Sequence, residues 1–208
     1  AILMQDFGMI SLCLKKYPNL TIHASTQVNS SSYETIKLLY EMGVKRVVLP
    51  REMSVDEIKK IDIPIELEVF IHGALCVSYS GNCLFSSMLG GRSGNRGECV
   101  GSCRLPYKLY KDKTLIDEGY LLSMKELNTS LDIKKLSSNI TSLKIEGRMK
   151  SPSYVGFITK YYRKILDDDE LTTKDLEDLK SMFYRGFTKG HLFNDEDLIN
   201  KKSPNHLG

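Results

Sequence analysis

The residue types with the most chemistry to offer are four cysteines, Cys76, Cys83, Cys99 and Cys103, spaced Cys-x6-Cys-x15-Cys-x3-Cys. Four thiolates on one stretch of chain can ligate Zn²⁺ or an iron–sulfur cluster. Zinc sites more often use paired Cys-x2-Cys knuckles, and the sequence contains none. The intervening stretch is rich in glycine (Gly81, Gly90, Gly91, Gly94, Gly97 and Gly101). Glycine lets backbone approach a bulky inorganic core and leaves N–H groups to bond its sulfides. Arg92, Arg96 and Arg104 would offset part of the negative charge of thiolate ligation. Buried structural cysteines and a nucleophilic cysteine are the other readings of this spacing. The fifth cysteine, Cys13, lies between Leu12 and Leu14 and reads as a core residue.

A second group of polar residues gathers at the ends of apolar runs. Glu66 and Glu68 alternate within one run and so share a side of a strand; His72 follows it. His23, Ser25 and Gln27 alternate at the end of another run, and Lys144, Glu146 and Arg148 around a third. Polar side chains at strand ends suit a pocket; turn, cap and ion-pair roles are the plain alternative. Glu68, His72 and Glu146 are the candidates for catalytic work. His23, Gln27, Arg92, Arg96, Lys144 and Arg148 are the candidates for binding substrate, the last group suiting an anionic small molecule. Arg51-Glu52 is a weaker instance of the same pattern. Arg92, Arg96, Arg104, Tyr107, Lys108 and Tyr110 have the basic and aromatic character that RNA binding needs. A peptidase needs an activated nucleophile or a metal-bound water. The sequence has neither His-Glu-x-x-His nor Gly-x-Ser-x-Gly, which leaves Cys76 or Cys83 with His72 as the only pairing on offer.

These residues must be positioned by a frame, and the first half of the chain has a βαβα rhythm. Strands are predicted at Ala1–Gln5 (buried), Thr21–Ala24, Lys45–Leu49, Ile65–Ile71 and Ser142–Glu146. Ser31–Glu34 has capping-box form and opens a helix with Ile36, Leu39 and Tyr40 on one face, stopped by Gly43. Ser54–Glu57 caps a short helix. Residues 76–105 show no sustained period and read as a functional loop. Lys108–Leu122 reads as a hairpin turning near Lys111–Lys113, and Ser123–Glu126 as the cap of another helix. Ser151-Pro152 starts a helix with Val155, Ile158, Tyr162 and Ile165 on its stripe. A last helix is predicted over Thr173–Tyr184, with an irregular tail from Gly186. The rhythm implies an α/β protein with a parallel sheet. About five strands are visible, fewer than the eight that an α/β barrel of ~250 residues uses, so the sheet is open or the chain is a piece of a longer one.

Composition narrows the setting. The 208 residues are 41% hydrophobic and 26% charged, with a net charge of +3, too mild a balance to diagnose nucleic-acid binding. No apolar run approaches the ~20 residues of a membrane span. An odd number of cysteines and no secretion signal argue against a disulfide framework and for a reducing, cytoplasmic setting.

The stretch Glu68-Val-Phe-Ile-His-Gly-Ala-Leu-Cys76-Val-Ser-Tyr-Ser-Gly-Asn-Cys83 resembles the signature of the collagenase-like peptidase family. The likeness continues through Gly90-Gly-Arg-Ser-Gly-Asn-Arg-Gly97 and Cys103-Arg-Leu-Pro-Tyr107. It extends to Met4–Gly8, His23–Gln27, Lys144–Lys150 and Arg185–Gly190, and so to nearly the whole chain. The resemblance implies a TIM-like barrel, here partial, over residues 1–166, carrying the Cys/Gly-rich insertion 76–105. Residues 167–208 become a C-terminal helical extension and tail. It implies a [4Fe–4S] cluster on Cys76, Cys83, Cys99 and Cys103, with zinc as the alternative. It implies hydroxylation of an RNA base, most like the branch that modifies a cytidine of large-subunit ribosomal RNA, with transfer RNA as a close variant. A prephenate-derived small molecule is implied as a metabolic partner, and peptidase activity is the older rival label. The family's own layout implies an internal fragment, lacking the first part of the barrel and a further C-terminal domain.

Overall fold

The computed structural model describes residues 1–148, 150–182 and 185–202. Five parallel strands lie side by side: β1 (Ile2–Met4), β2 (Ile22–Ala24), β3 (Arg46–Val48), β4 (Glu66–Ala74) and, beside β4, β8 (Ile140–Ile145). Helices α1 (Phe7–Lys16), α2 (Tyr33–Met42) and α3 (Val55–Ile58) connect the first four. Each has a local reason to start where it does. Asp6, Ser32 and Ser54 accept the N–H groups of Met9, Thr35 and Glu57, and Glu57 reaches back to close a capping box.

Helix α5 (Pro152–Leu166) starts on the Ser151 cap with Pro152 in its first turn, and α6 (Thr173–Ser181) on the Thr172–Asp175 box. The main core lies between the helices and one side of the sheet. Ile10, Ile36, Leu39, Ile58 and Ile158 meet Ile22, Ala24, Val47, Leu67, Val69 and Ile71 there. The other side of the sheet has a smaller core of Val48, Phe70, Leu75, Met124 and Leu127, and otherwise carries charge.

Between β4 and β8 the chain makes a long excursion. It forms the short helix α4 (Phe85–Gly90), then the antiparallel hairpin β5 (Tyr107–Lys111) and β6 (Thr114–Gly119), then β7 (Glu126–Asn128). Asp112 and Lys113 turn the hairpin with φ of 49° and 70°, the left-handed pair that a two-residue connection favours. β7 runs antiparallel to the end of β4, and β9 (Phe187–Thr188) lies parallel to β7. The result is a mixed α/β fold with a largely parallel sheet, and among the described residues that sheet does not close into a barrel.

Several expectations change. β1 is an edge strand with Ile2 and Leu3 about half exposed, because an apolar run reads alike at the edge and the centre of a sheet. Helix α1 was hidden in an amphipathic stretch. Ser123–Glu126 does not cap a helix. The Glu126 carboxylate is taken by Arg185, and its N–H bonds the Gly186 carbonyl, so the segment becomes strand β7. Residues 187–188 join the sheet as β9. On α5 the buried face is Tyr154, Ile158, Tyr161 and Tyr162, while Val155 is exposed; on α2, Tyr40 is exposed. Helix α6 ends at Ser181; Phe183 and Tyr184, like Met149 and the tail 203–208, lie outside the described residues.

Gly73 shows how tightly the functional end of the sheet is drawn. Its φ is +108°, and a Cβ there would fall 2.5 Å from the Glu146 carbonyl oxygen and 2.9 Å from its Cβ. Gly73→Ala is expected to cost about 2 kcal/mol or more, from strain and forced separation of β4 and β8. A fall in the denaturation midpoint, with faster amide exchange in β8, measures it.

Candidate functional site

The cysteine loop leaves the C-terminal end of β4, the side of a parallel sheet where ligand sites form. All four cysteines are free; Cys76 and Cys99 are exposed, Cys83 and Cys103 half-buried. Burial raises the Cys76 and Cys103 thiols above the ordinary thiol value, and Arg104 opposes that shift at both. Cys76 is exposed by surface area while its thiol is desolvated. The neighbouring cysteines add to the upward shift, Cys99 and Cys83 at Cys76, and Cys76, Cys99 and Cys83 at Cys103.

Four cysteine sulfurs on one loop are the donor chemistry that an iron–sulfur cluster or a zinc ion takes. Among the described residues no three His, Cys, Asp or Glu side chains are grouped to hold a metal ion. The Gly101 N–H lies 3.4 Å from Cys99 Sγ and the Ser86 hydroxyl 3.8 Å from it. Residues 76–105 are more ordered than their composition suggests. Helix α4 escaped notice because six residues are too few to show a period.

The loop is fastened to β2. Gln27 Nε2 donates to the Asn95 carbonyl at 2.8 Å, and Asn95 Nδ2 to the Gly81 carbonyl at 2.7 Å. Gly81 (φ +81°) packs so closely that a Cβ would meet Gln27 Cα at 2.8 Å. Gln27 is therefore committed to the loop rather than to an open pocket. Arg148 also reaches the loop, its guanidinium lying over Gly97. Arg92 and Arg96 stand exposed nearby.

Below the loop, the charged side of the sheet gathers most of the remaining candidates. Glu68 accepts from Ser142 at 2.8 Å and Arg46 at 3.2 Å, and pairs with Lys144 at 3.0 Å. Burial works to raise the Glu68 carboxyl, and these donors outweigh it, leaving the group below the usual carboxylate range. Arg46 also holds Glu66, at 2.6 Å. His23 lies beside Arg46 on the neighbouring strand. Burial and then Arg46 keep it below its ordinary value. Arg51 pairs with Glu146 at 3.1 Å, stacks over the Phe70 ring at 3.7 Å, and acts electrostatically on Cys76. It is the side chain that links the charged face to the cysteine loop. Glu52 accepts from the Ser80 N–H and hydroxyl, at 3.0 and 3.2 Å.

His72 is not in this group. Strict alternation puts it beside Glu68 and Phe70, but the pairing with β8 slips between Phe70 and His72. Its ring is buried against Tyr154, Tyr162 and Phe187, with Nδ1 3.2 Å from the Tyr162 hydroxyl. Burial, and then the charge of Lys150, lower its pKa to about 4. The His72 nitrogen Nδ1 faces the Tyr162 hydroxyl, and among the described residues no hydrogen bond joins His72 to Cys76 or Cys83. Arg104 is buried and structural, so it leaves the set of surface RNA contacts. Arg46, Ser142 and Asn95 were missed. A lone arginine inside an apolar strand was the available signal for Arg46; Ser142 and Asn95 gave none.

Known proteins with similar sequences carry the same stretch. The chain is 42% identical over 172 residues to the 23S rRNA 5-hydroxycytidine synthase of Escherichia coli, covering 80% of this chain and 26% of that protein. It is 40% identical over 210 residues to tRNA hydroxylation protein P of Helicobacter pylori, covering 89% of this chain and 49% of that one. It is 33% identical over 195 residues to a collagenase of Porphyromonas gingivalis, covering 82% and 47%. The chain thus spans from about a quarter to about half of these relatives' length. No solved structure matches it. No helix among the described residues is long and apolar enough to cross a membrane. The model of peptidase family U32 matches residues 1–202, and the chain belongs to that family.

Proposed function

We propose that this chain is the cysteine-bearing part of an iron–sulfur protein that hydroxylates a pyrimidine base in RNA, with a ribosomal cytidine as first candidate and a transfer RNA base as second. The observation that carries the reading is a set of four free cysteines on one loop at the C-terminal end of β4, in a chain whose relatives are named for RNA hydroxylation. Cys76, Cys83, Cys99 and Cys103 hold the cluster, which supplies redox chemistry when bound. Arg92, Arg96 and Arg148 form a basic rim for the RNA backbone. Glu68 and Lys144, fixed by Arg46 and Ser142, and Glu146, fixed by Arg51, line the face on which the base or a small acidic co-reactant, prephenate-derived, is oriented. The parallel strands are read as part of a TIM-like barrel completed by the rest of a longer, cytoplasmic protein.

Two measurements test this. Anaerobically purified full-length protein should contain about four iron atoms and four sulfides per chain; a full complement of zinc with little iron would refute the cluster. Mass spectrometry of ribosomal and transfer RNA from a deletion strain should show one hydroxylated pyrimidine missing. An unchanged modification map would refute the RNA reading.

A further inference from the structure

One buried guanidinium closes the neck of the cysteine loop. Arg104 follows Cys103 directly, and its Nη2 donates at 2.5 Å to the carbonyl of Leu75, the residue before Cys76. Its Nη1 donates to the Met124 carbonyl at 2.5 Å and reaches the Ser123 hydroxyl at 3.4 Å. The first and last thiols are thereby tied through a single planar fork. Lysine cannot reproduce this, because an ammonium carries its donors on a point and not on a rigid plane. Pinning the neck also removes most of the entropy that the long glycine-rich loop would lose on gathering its thiols.

The same guanidinium brings charge. Arg104 is only 8% exposed, adjoins Cys103 in sequence and bonds the residue before Cys76, so its charge is held beside both cysteines and away from water. Two neighbouring guanidiniums are already paired with carboxylates, Arg51 with Glu146 and Arg185 with Glu126. One-electron reduction adds a negative charge to a thiolate-ligated cluster, and a fixed cation in a water-poor setting favours the more negative state.

We propose that Arg104 is a positioning residue for the bound cluster, closing the loop through Leu75 and Met124 and raising the cluster's reduction potential with its charge. This assignment rests on the iron–sulfur reading above. The test uses anaerobic full-length protein, wild type against Arg104→Lys and Arg104→Met, followed by mediated potentiometric titration and by the rate of iron loss to a chelator.

The methionine variant should show a lower midpoint potential and faster iron release. The lysine variant should keep the wild-type potential and still release iron faster, because it keeps the charge and loses the fork. A methionine variant that holds its cluster at the wild-type potential overturns the electrostatic role, as does a lysine variant shifted as far as the methionine one. Wild-type iron retention in the lysine variant overturns the positioning role, and is readable even if the methionine variant fails to fold. Wild-type protein without iron overturns the cluster reading itself, and this assignment with it. Iron-loaded wild type with unmoved variants overturns only the role given to Arg104.

Discussion

Cys99→Ser is expected to strip the full-length protein of nearly all its iron and to abolish RNA hydroxylation, with little change in the fold. Cys99 is exposed, so its side chain contributes little packing, and a surface change of this kind alters stability by about 0.5 kcal/mol or less. Its sulfur lies 3.4 Å from the Gly101 N–H and 3.8 Å from the Ser86 hydroxyl, which orient it on the loop. A serine hydroxyl does not ionise near neutral pH and is a poor ligand for iron. The loss should exceed the roughly 10–100-fold drop in metal affinity typical of removing an outer partner of a ligand. Iron and sulfide analysis, with mass spectrometry of RNA from cells that carry only the variant, measures both effects. Full iron and full hydroxylation in the variant would remove Cys99 from the ligand set.

The second large effect concerns stability against pH. His72 has a folded-state pKa of about 4, against ~6.5 in an unfolded chain. As pH falls, the unfolded chain takes up the proton first. The stabilisation is therefore complete above ~6.5 and is lost progressively as pH drops toward 4. A single group with these values contributes a loss of about 2 kcal/mol between pH 7.5 and 5. The cause is burial among Tyr154, Tyr162 and Phe187, where an imidazolium would be poorly solvated. Hydrogen exchange of β4 peptides at the two pH values, corrected for intrinsic rates, should show this loss in the wild type. His72→Phe should lack most of it, whatever its own stability. Equal pH dependence in both proteins would mean that His72 is not the group responsible.

That same histidine shows where reading the sequence stops. Alternation put Glu66 and Glu68 on one side of a strand, and the structure has them together on Arg46. His72, read as following that strand, lies within β4 and is turned into the tyrosine cluster at a slip in register with β8, which leaves no trace in either strand's own sequence. The four cysteines stood out by residue type and spacing, and the structure carries them, all free, on the excursion between β4 and β8. The caps Ser54 and Ser151 were legible because a cap is local, while the box read at Ser31–Glu34 fell one residue early, Ser32 being the residue that accepts the Thr35 N–H. Glu126 misled for the converse reason. A local box pattern was overruled by Arg185, a partner far along the chain. Gln27 looked like a pocket residue and proved to be a fastener, because its partner Asn95 is 68 positions away.

The adjacency of β4 and β8 leaves room for change. The chain leaves the end of β4 after Ala74 and returns as β8, the parallel neighbour of β4, having added β7 to the same sheet on the way. A parallel crossover needs only a dozen or so residues. The cysteine loop and the hairpin are thus far more than the connection between β4 and β8 requires. Residues in that crossover can be lengthened, trimmed or exchanged while β4 and β8 stay in register beneath it.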